Sequence, residues 1–231
     1  MNIVLIHGQN HIGSSAHIGR LLAAAFSGAE VREFFLPKDL PHFCKGCYRC
    51  IYDPHACPYD REKMNIMHAV LEADLLVITT PTYCMAPSAA LKSFLDLTFP
   101  WWMVHRPDPR MFFKQAVVIT TAAGRGMHSA IKPVKNALFY WGIPKVYTFG
   151  KAVQAMNWDQ VSEKKKQEIT ASISRMAARI QNGAPVKAGL KTKLVFELMR
   201  QMHKSGKGSS KEETEYWNRQ GWLEKKRPWK K

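Results

Sequence analysis

Five times along this 231-residue chain, a short apolar run gives way to a loop and, in most cases, then to apolar residues at helical spacing. A run without polar alternation reads as a strand covered on both faces, and parallel strands, which need long crossovers, are covered in that way. The runs fall at residues 2–7, 31–36, 74–80, 116–121 and 145–149. After the first of them, Ile18, Leu21, Leu22, Ala25 and Phe26 recur on one helical face, with Ser14 or Ser15 as the N-cap. Further helices are predicted over 61–72, 88–97, 127–141 and 159–181, with Pro133 in the first turn of its helix or kinking it. Strands alternating with helices predict a three-layer α/β domain whose ligands lie beyond the carboxyl ends of the strands. Four distinctive loops, 8–15, 44–57, 81–87 and 122–126, all follow strands and are expected to converge on one edge.

Cys44, Cys47, Cys50 and Cys57 stand in a C-x2-C-x2-C-x6-C run, in a chain with one other cysteine, Cys84. A segment this short pairs its own thiols only with strain, but it can wrap a single metal centre. The residues point to an iron-sulfur cluster or zinc, with redox or structural thiols as the competing reading. Against the bacterial ferredoxin run, the first three cysteines and the Cys57-Pro58 ending agree, while the last gap is longer. His42 and His55 flank the run as weaker candidate ligands. Cys84 is read as a packing residue.

Clustered cysteines, and a first strand with no basic leader ahead of it, lead to the expectation of a cytoplasmic protein. No apolar stretch approaches the length of a spanning helix. A hydrophobic fraction of 46% is enough for one substantial core. The balance of 34 basic against 18 acidic residues gives +16, and residues 186–231 hold 13 Lys/Arg against 5 Asp/Glu, so 13 − 5 = +8 of it lies in the last fifth. Such charge draws anionic surfaces or phosphorylated substrates, or is simply a solvated face.

The loop His7-Gly8-Gln9-Asn10-His11-Ile12-Gly13-Ser14-Ser15 ends a strand and opens a helix, so its amides and the helix dipole favour a phosphate monoester, with Ser14 and Ser15 adding hydroxyls. It is neither a Walker loop nor a G-x-G-x-x-G fingerprint, which argues against a nucleoside-triphosphate enzyme and a dinucleotide fold. A plain capped turn is the alternative. In Ala122-Ala123-Gly124-Arg125-Gly126, small residues permit close backbone approach to a planar ligand, and Arg125 either offers it charge or is a surface arginine.

Together with Pro81-Thr82-Tyr83-Cys84-Met85-Ala86-Pro87-Ser88-Ala89-Ala90-Leu91-Lys92-Ser93-Phe94, these loops resemble the flavodoxin-like NADPH-dependent FMN reductase family, and the cysteine run resembles its iron-sulfur flavoprotein branch. The resemblance covers about residues 1–180. It implies a five-stranded parallel sheet in the order 2-1-3-4-5, FMN with its phosphate at Gly8, Gln9, Ser14 and Ser15, and Pro81, Thr82, Tyr83, Cys84, Met85 and Ala86 along the isoalloxazine. Ala123, Gly124 and Arg125 then form the third contact loop. It further implies a 4Fe-4S cluster on Cys44, Cys47, Cys50 and Cys57, with NAD(P)H or ferredoxin as donor and a redox partner or small-molecule acceptor. The family commonly has Gly-Ser-Pro-Arg and then Gly-Asn-Thr in the first loop; here Gln9, Asn10 and His11 follow Gly8, and Ser14-Ser15 replaces Asn-Thr. Trp101-Trp102, with Arg106 and Arg110, corresponds to a segment that often meets a second subunit, so a homodimer or higher homo-oligomer is expected.

Residues 184–231 form a basic extension to the 1–183 domain. Leu190, Leu194, Leu198 and Met202 recur every four residues with Lys191, Lys193, Arg200 and Lys204 on other faces, an amphipathic helix expected to pack on its own domain or a dimer mate, with an anionic membrane surface as the alternative. A connector, 204–210, and a basic run, 225–231, follow. The pairs Tyr216-Trp217 and Gly221-Trp222 lie between them. Three readings compete: a flavoprotein with FMN and a cluster, a cluster-free NAD(P)H:FMN or quinone reductase, and a basic module that docks on an anionic surface. Nucleic acid is not expected among the partners.

Overall fold

A computed structural model describes residues 1–208 and 210–230; Ser209 of the predicted connector and Lys231 of the terminal basic run lie outside the described residues. Five parallel strands, β1 (Asn2–His7), β2 (Glu30–Phe35), β3 (Leu75–Tyr83), β5 (Gln115–Ala122) and β6 (Lys145–Ala152), lie in the order β2-β1-β3-β5-β6. This is the expected 2-1-3-4-5 order with one addition. A two-residue strand, β4 (Ala86–Pro87), folds back antiparallel on the end of β3, pairing Thr82 with Pro87 and Tyr83 with Ala86. The sequence reading left Pro81 and Thr82 in a loop, whereas the structure carries β3 through both.

Alternate side chains of each central strand enter different cores. Ile3, Leu5, Val77 and Ile119 meet α1 (Ser14–Ala24) and α6 (Glu163–Gln181) through Ile18, Leu22, Ile169 and Ile173. Val4, Ile6, Ile78 and Val118 meet α3 (Asp60–Glu72), α4 (Ala89–Leu97) and α5 (Met127–Tyr140) through Ile66, Val70, Leu91, Phe94, Val134 and Leu138. The prediction starts α6 at residue 159, but residues 157–161 close on themselves, with Gln160 N donating to Asn157 Oδ1 at 3.1 Å and Val161 N to Trp158 O at 3.1 Å. Pro133 lies inside α5 beyond its first turn, and the helix runs through it.

A short helix in the cysteine loop, α2 (Arg49–Tyr52), precedes α3, and two 3-10 turns, Phe99–Trp101 and Pro109–Phe113, lead into β5. The extension forms α7 (Leu190–Lys204) and α8 (Lys211–Arg219). Phe196, Trp217 and Trp222 from it join Met103 and Phe112 in a third, aromatic core, with Phe196 and Trp217 rings 4.7 Å apart. The polar ends of these side chains reach the backbone of the segment before the second 3-10 turn: His203 Nε2 to Val104 O at 2.9 Å, Trp217 Nε1 to His105 O at 2.7 Å and Tyr216 Oη to Pro107 O at 2.8 Å.

The leucine stripe corrects the sequence reading. Thr192, Phe196 and His203 are the buried residues of α7, while Leu190, Leu194 and Leu198 are 80%, 71% and 58% exposed. The larger Phe196 ring fills the aromatic core, and the leucines one third of a turn or more away face solvent. Among the described residues, no helix is long and apolar enough to cross a membrane.

His7 ends β1 fully buried, with Nδ1 2.8 Å from Thr79 Oγ1 and its ring 4.5 Å from that of Phe35. Its Nε2 has no hydrogen-bond partner among the described residues, and Glu33 Oε2 is 3.9 Å away. Burial pulls its pKa down to about 4, with Glu33 opposing and Arg20 adding to the shift. The unfolded chain therefore binds more protons between about 4 and 6.5, so stability rises with pH across that window and falls as the pH drops through it. Chemical denaturation is expected to show His7→Gln losing about 2 kcal/mol less than the wild type between pH 7 and pH 5; equal losses would show that His7 is not the group responsible.

Candidate functional site

The parallel register places the ends of β1 and β3 side by side, and one serine joins them. Gly8 N donates to Thr79 O at 2.7 Å, Ser88 Oγ donates to Gly8 O, and Ser88 N donates to Thr80 Oγ1 at 3.0 Å. A Cβ on Gly8 would stand 2.7 Å from Ser88 Oγ, so only glycine lets the loop pass this close to the start of α4. Ser88 also caps α4 by accepting from Leu91 N at 3.3 Å.

From there the loop folds over itself, with Gln9 Nε2 donating to His11 O at 3.1 Å. A Cβ on Gly13 would meet that same Gln9 nitrogen at 2.5 Å. Gly13 is the N-cap of α1; among the described residues no side chain caps this helix, and its first turn carries no acidic residue. Ser14 and Ser15 open the helix, both buried, and Ser15 Oγ has no hydrogen-bond partner among the described residues. Uncapped first-turn amides beside an unpartnered buried hydroxyl suit an anion with several acceptor oxygens.

Pro81, Thr82 and Tyr83 close β3, and Cys84 and Met85 make the turn into Ala86 with φ of +49° and +62°. Two successive left-handed residues belong to the tight hairpin turn whose twist matches its strands, at a cost of roughly 1 kcal/mol or more for each side chain that is not glycine. The hairpin tip is open: Tyr83 is 53% and Met85 57% exposed. Thr82 Oγ1 lies 2.9 Å from Thr120 Oγ1, which ties the hairpin to β5. Gly126, at φ +97°, would bring a Cβ within 2.7 Å of Met85 Sδ, so the exposed loop carrying Ala123, Gly124 and Arg125 turns back beside the hairpin. Gly8, Gln9 and Tyr83 share the wall of a cavity of about 550 Å3 with Leu40, His42 and Phe43. Arg125 lies outside that wall.

All four cysteines of the run line a second cavity, of about 380 Å3, floored by Leu97 and Phe99. Burial pushes the Cys50 thiol pKa up, and the Cys57 sulfur adds to the shift. Four thiols on one wall are the donor set of an iron-sulfur or zinc site. Among the described residues, however, no three metal-binding side chains converge as they stand. The flanking histidines are engaged elsewhere: His42 stacks on Tyr59 at 4.1 Å and His55 Nδ1 lies 3.1 Å from Asp60 Oδ2. His42 faces the first cavity and Tyr59 the second, so this stacked pair is the partition between them.

The extension contributes a support that the sequence did not reveal. Arg106 donates to Cys50 O at 2.9 Å, to Ile51 O and to Tyr52 O at 3.4 Å, closing the carbonyl end of α2. Behind it stands Glu213 of α8, fully buried, 3.6 Å from the Arg106 guanidinium and 3.1 Å from His105 Nδ1. Trp102 stacks on Tyr140 at 4.5 Å, and Trp101 lines a cavity of about 460 Å3 walled by α3 and α8. The chain's own tail therefore borders the tryptophan segment.

A family model for NADPH-dependent FMN reductases matches residues 1–155. The chain belongs to this family. The chain is 26% identical over 128 residues to an iron-sulfur flavoprotein of Archaeoglobus fulgidus, a match that takes in 55% of this chain and 56% of that one. The aligned region thus spans little more than half the length of the curated relative. Its fold is that of an FMN-dependent NADH-azoreductase from Bacillus anthracis solved with FMN (TM-score 0.59, 12% identity, 79% of this chain and 100% of that one). It is also that of an NAD(P)H:quinone oxidoreductase from Methanothermobacter marburgensis (TM-score 0.57, 14% identity, 80% and 98%). The family match lies in residues 1–155 and leaves the basic extension outside it.

Glu213→Gln deprives Arg106 of its buried countercharge, and breaking one side of such a pair costs about 3 kcal/mol or more. The expected result is several-fold faster labelling of Cys50 and Cys57 by a thiol reagent in the metal-free full-length chain. Labelling at the wild-type rate would show that the cysteine loop stands without the tail.

Proposed function

We propose that this reductase binds FMN with its phosphate on Gly8, Gln9, Ser14 and Ser15 and its ring along Pro81, Thr82, Tyr83, Cys84, Met85 and Ala86, with Ala123, Gly124 and Arg125 as the third loop. The observation that carries the reading is Ser15 Oγ, buried without a partner at the uncapped start of α1. A buried hydroxyl left unpaired costs about 1–3 kcal/mol, and a phosphate oxygen would relieve that cost. The bound flavin supplies hydride acceptance from a nicotinamide and one- or two-electron return to an acceptor. The chain's part is placement: the exposed hairpin tip offers Tyr83 and Met85 as flanking surface, and Arg125 offers charge to a flavin or nicotinamide phosphate. Residues 1–183 form this flavodoxin-like unit, and 184–231 extend it.

The reading includes a 4Fe-4S cluster on Cys44, Cys47, Cys50 and Cys57, which makes the protein an electron-transfer flavoprotein. Its support is the shared cavity, the all-thiol donor set and the likeness to an iron-sulfur flavoprotein. Lys45 and Arg49 would offset part of its negative charge. The cluster-free reading, a NAD(P)H:FMN or quinone reductase with free thiols, is supported equally by the family match.

Anaerobic purification followed by measurement of flavin, iron and acid-labile sulfide separates the two. FMN with about four irons and four sulfides per chain, lost in Cys47→Ser, is the expected result. FMN without iron establishes the simple reductase, and absence of FMN overturns both. Ser15→Ala is expected to weaken FMN binding about tenfold by titration, while the flavin-free protein keeps or gains stability because the orphan hydroxyl is gone. A parallel loss of stability would mean that Ser15 serves the fold and not the phosphate.

A further inference from the structure

The extension leaves one apolar face uncovered. Helix α7 buries Thr192, Phe196 and His203 against the aromatic core, and on the opposite side Leu190, Leu194 and Leu198 form a continuous stripe 80%, 71% and 58% exposed. Three leucines at four-residue spacing lie one above another along a helix, so this is a ridge of apolar surface two turns long. At 100° per residue, Lys191 falls on one edge of the ridge, and Lys193 and Lys204 fall on the other, all three exposed. The single acid of the helix, Glu197, is held by Arg200 at 3.3 Å and by Arg227.

We propose that this face of α7 lies on an anionic lipid bilayer, with Leu190, Leu194 and Leu198 in the acyl boundary and the flanking lysines at the headgroups. A leucine ridge bordered by lysines is the form of a helix that rests in a membrane interface. Charge complementarity favours a bilayer over a second copy of the chain. Residues 186–231 carry 13 − 5 = +8 and the whole chain carries +16, so two such faces would bring like charges together with no free acid on α7 to pair them. Area argues the same way, because three leucine side chains fall well short of the roughly 800 Å2 per partner of a stable protein interface. A bilayer needs no matching surface, and several basic residues near it add to the attraction. The inference does not depend on the flavin or cluster assignments, since α7 contributes to neither site.

The test is co-sedimentation of the full-length holoprotein with vesicles of neutral phosphatidylcholine, and of the same lipid with about one third phosphatidylglycerol. Binding to the anionic vesicles alone is expected, reduced about tenfold or more in Leu194→Glu/Leu198→Glu and also reduced in Lys191→Glu/Lys193→Glu. Because Leu194 and Leu198 are exposed, flavin content and the circular dichroism melting point of the leucine variant should match the wild type. No binding to anionic vesicles overturns the proposal, as does binding that the leucine variant retains in full, which would be diffuse charge attraction elsewhere on the surface. A wild type that ignores vesicles but is dimeric by ultracentrifugation, and monomeric in the leucine variant, would assign the ridge to a subunit seam and overturn it equally.

Discussion

The hydrogen bonds that align β1, β3 and β5 set the position of the loops that leave the ends of those strands. His7 stands opposite Thr79, and Thr79 stands opposite Ile119. Because the strands are parallel and in step, the loops that leave them do so at one edge of the sheet. A slip of one residue would turn every buried side chain of a strand to the wrong face, so the two cores that clamp the sheet also fix the site. Ser88 then acts on this fixed geometry: it receives the end of β1 and starts α4 with the same side chain.

No strand fixes the cysteine loop. Between β2 and α3 the chain has only a four-residue helix, and most of its residues are exposed. Order is supplied from outside, by Arg106 on the carbonyls of α2 and by Glu213 behind it. A fully buried carboxylate is costly unless it is paired, and this one meets a guanidinium and an imidazole that a surface position would leave in water. The extension is thus a structural part of the loop that carries the four thiols. The aromatic residues of the tail fit the same role, since three of its side chains end on carbonyls of residues 104, 105 and 107, the stretch from which Arg106 projects.

What the sequence made legible is what repeats or alternates. The apolar runs marked the five parallel strands, the resemblance of the loops implied their order, and the glycines and serines after β1 marked the loop that now shows an orphan hydroxyl. Features that depend on distant pairs left no local signal. Nothing near Arg106 indicates that its partner is Glu213, 107 residues on, and nothing in the pattern Tyr216-Trp217 names the carbonyls it meets. The hairpin β3–β4 was hidden because Cys84 and Met85 are unusual residues for left-handed turn positions, where glycine or asparagine would have announced it. The stripe on α7 misled for a different reason. Its periodicity is real, but a second apolar face, led by Phe196, competed for the core, and the aromatic ring buries more surface than the leucines do.

Several departures from local rules gather at one edge of the sheet. Cys84 and Met85 hold left-handed backbone, Tyr83 and Met85 expose large apolar side chains, Ser15 buries a hydroxyl without a partner, and α1 begins without a cap. Each costs stability, and all lie along the edge where β1, β3 and β5 end. Tyr48, at φ +56°, adds another in the cysteine loop. A folded chain tolerates such costs only where the surrounding structure over-determines them, and here the support is the sheet packed on both faces by α1, α6, α3, α4 and α5. Were the same features spread over the surface, they would read as imperfect packing. Their presence at one edge, with glycines that admit close backbone approach at Gly8 and Gly126, is what supports the placement of a ligand proposed there.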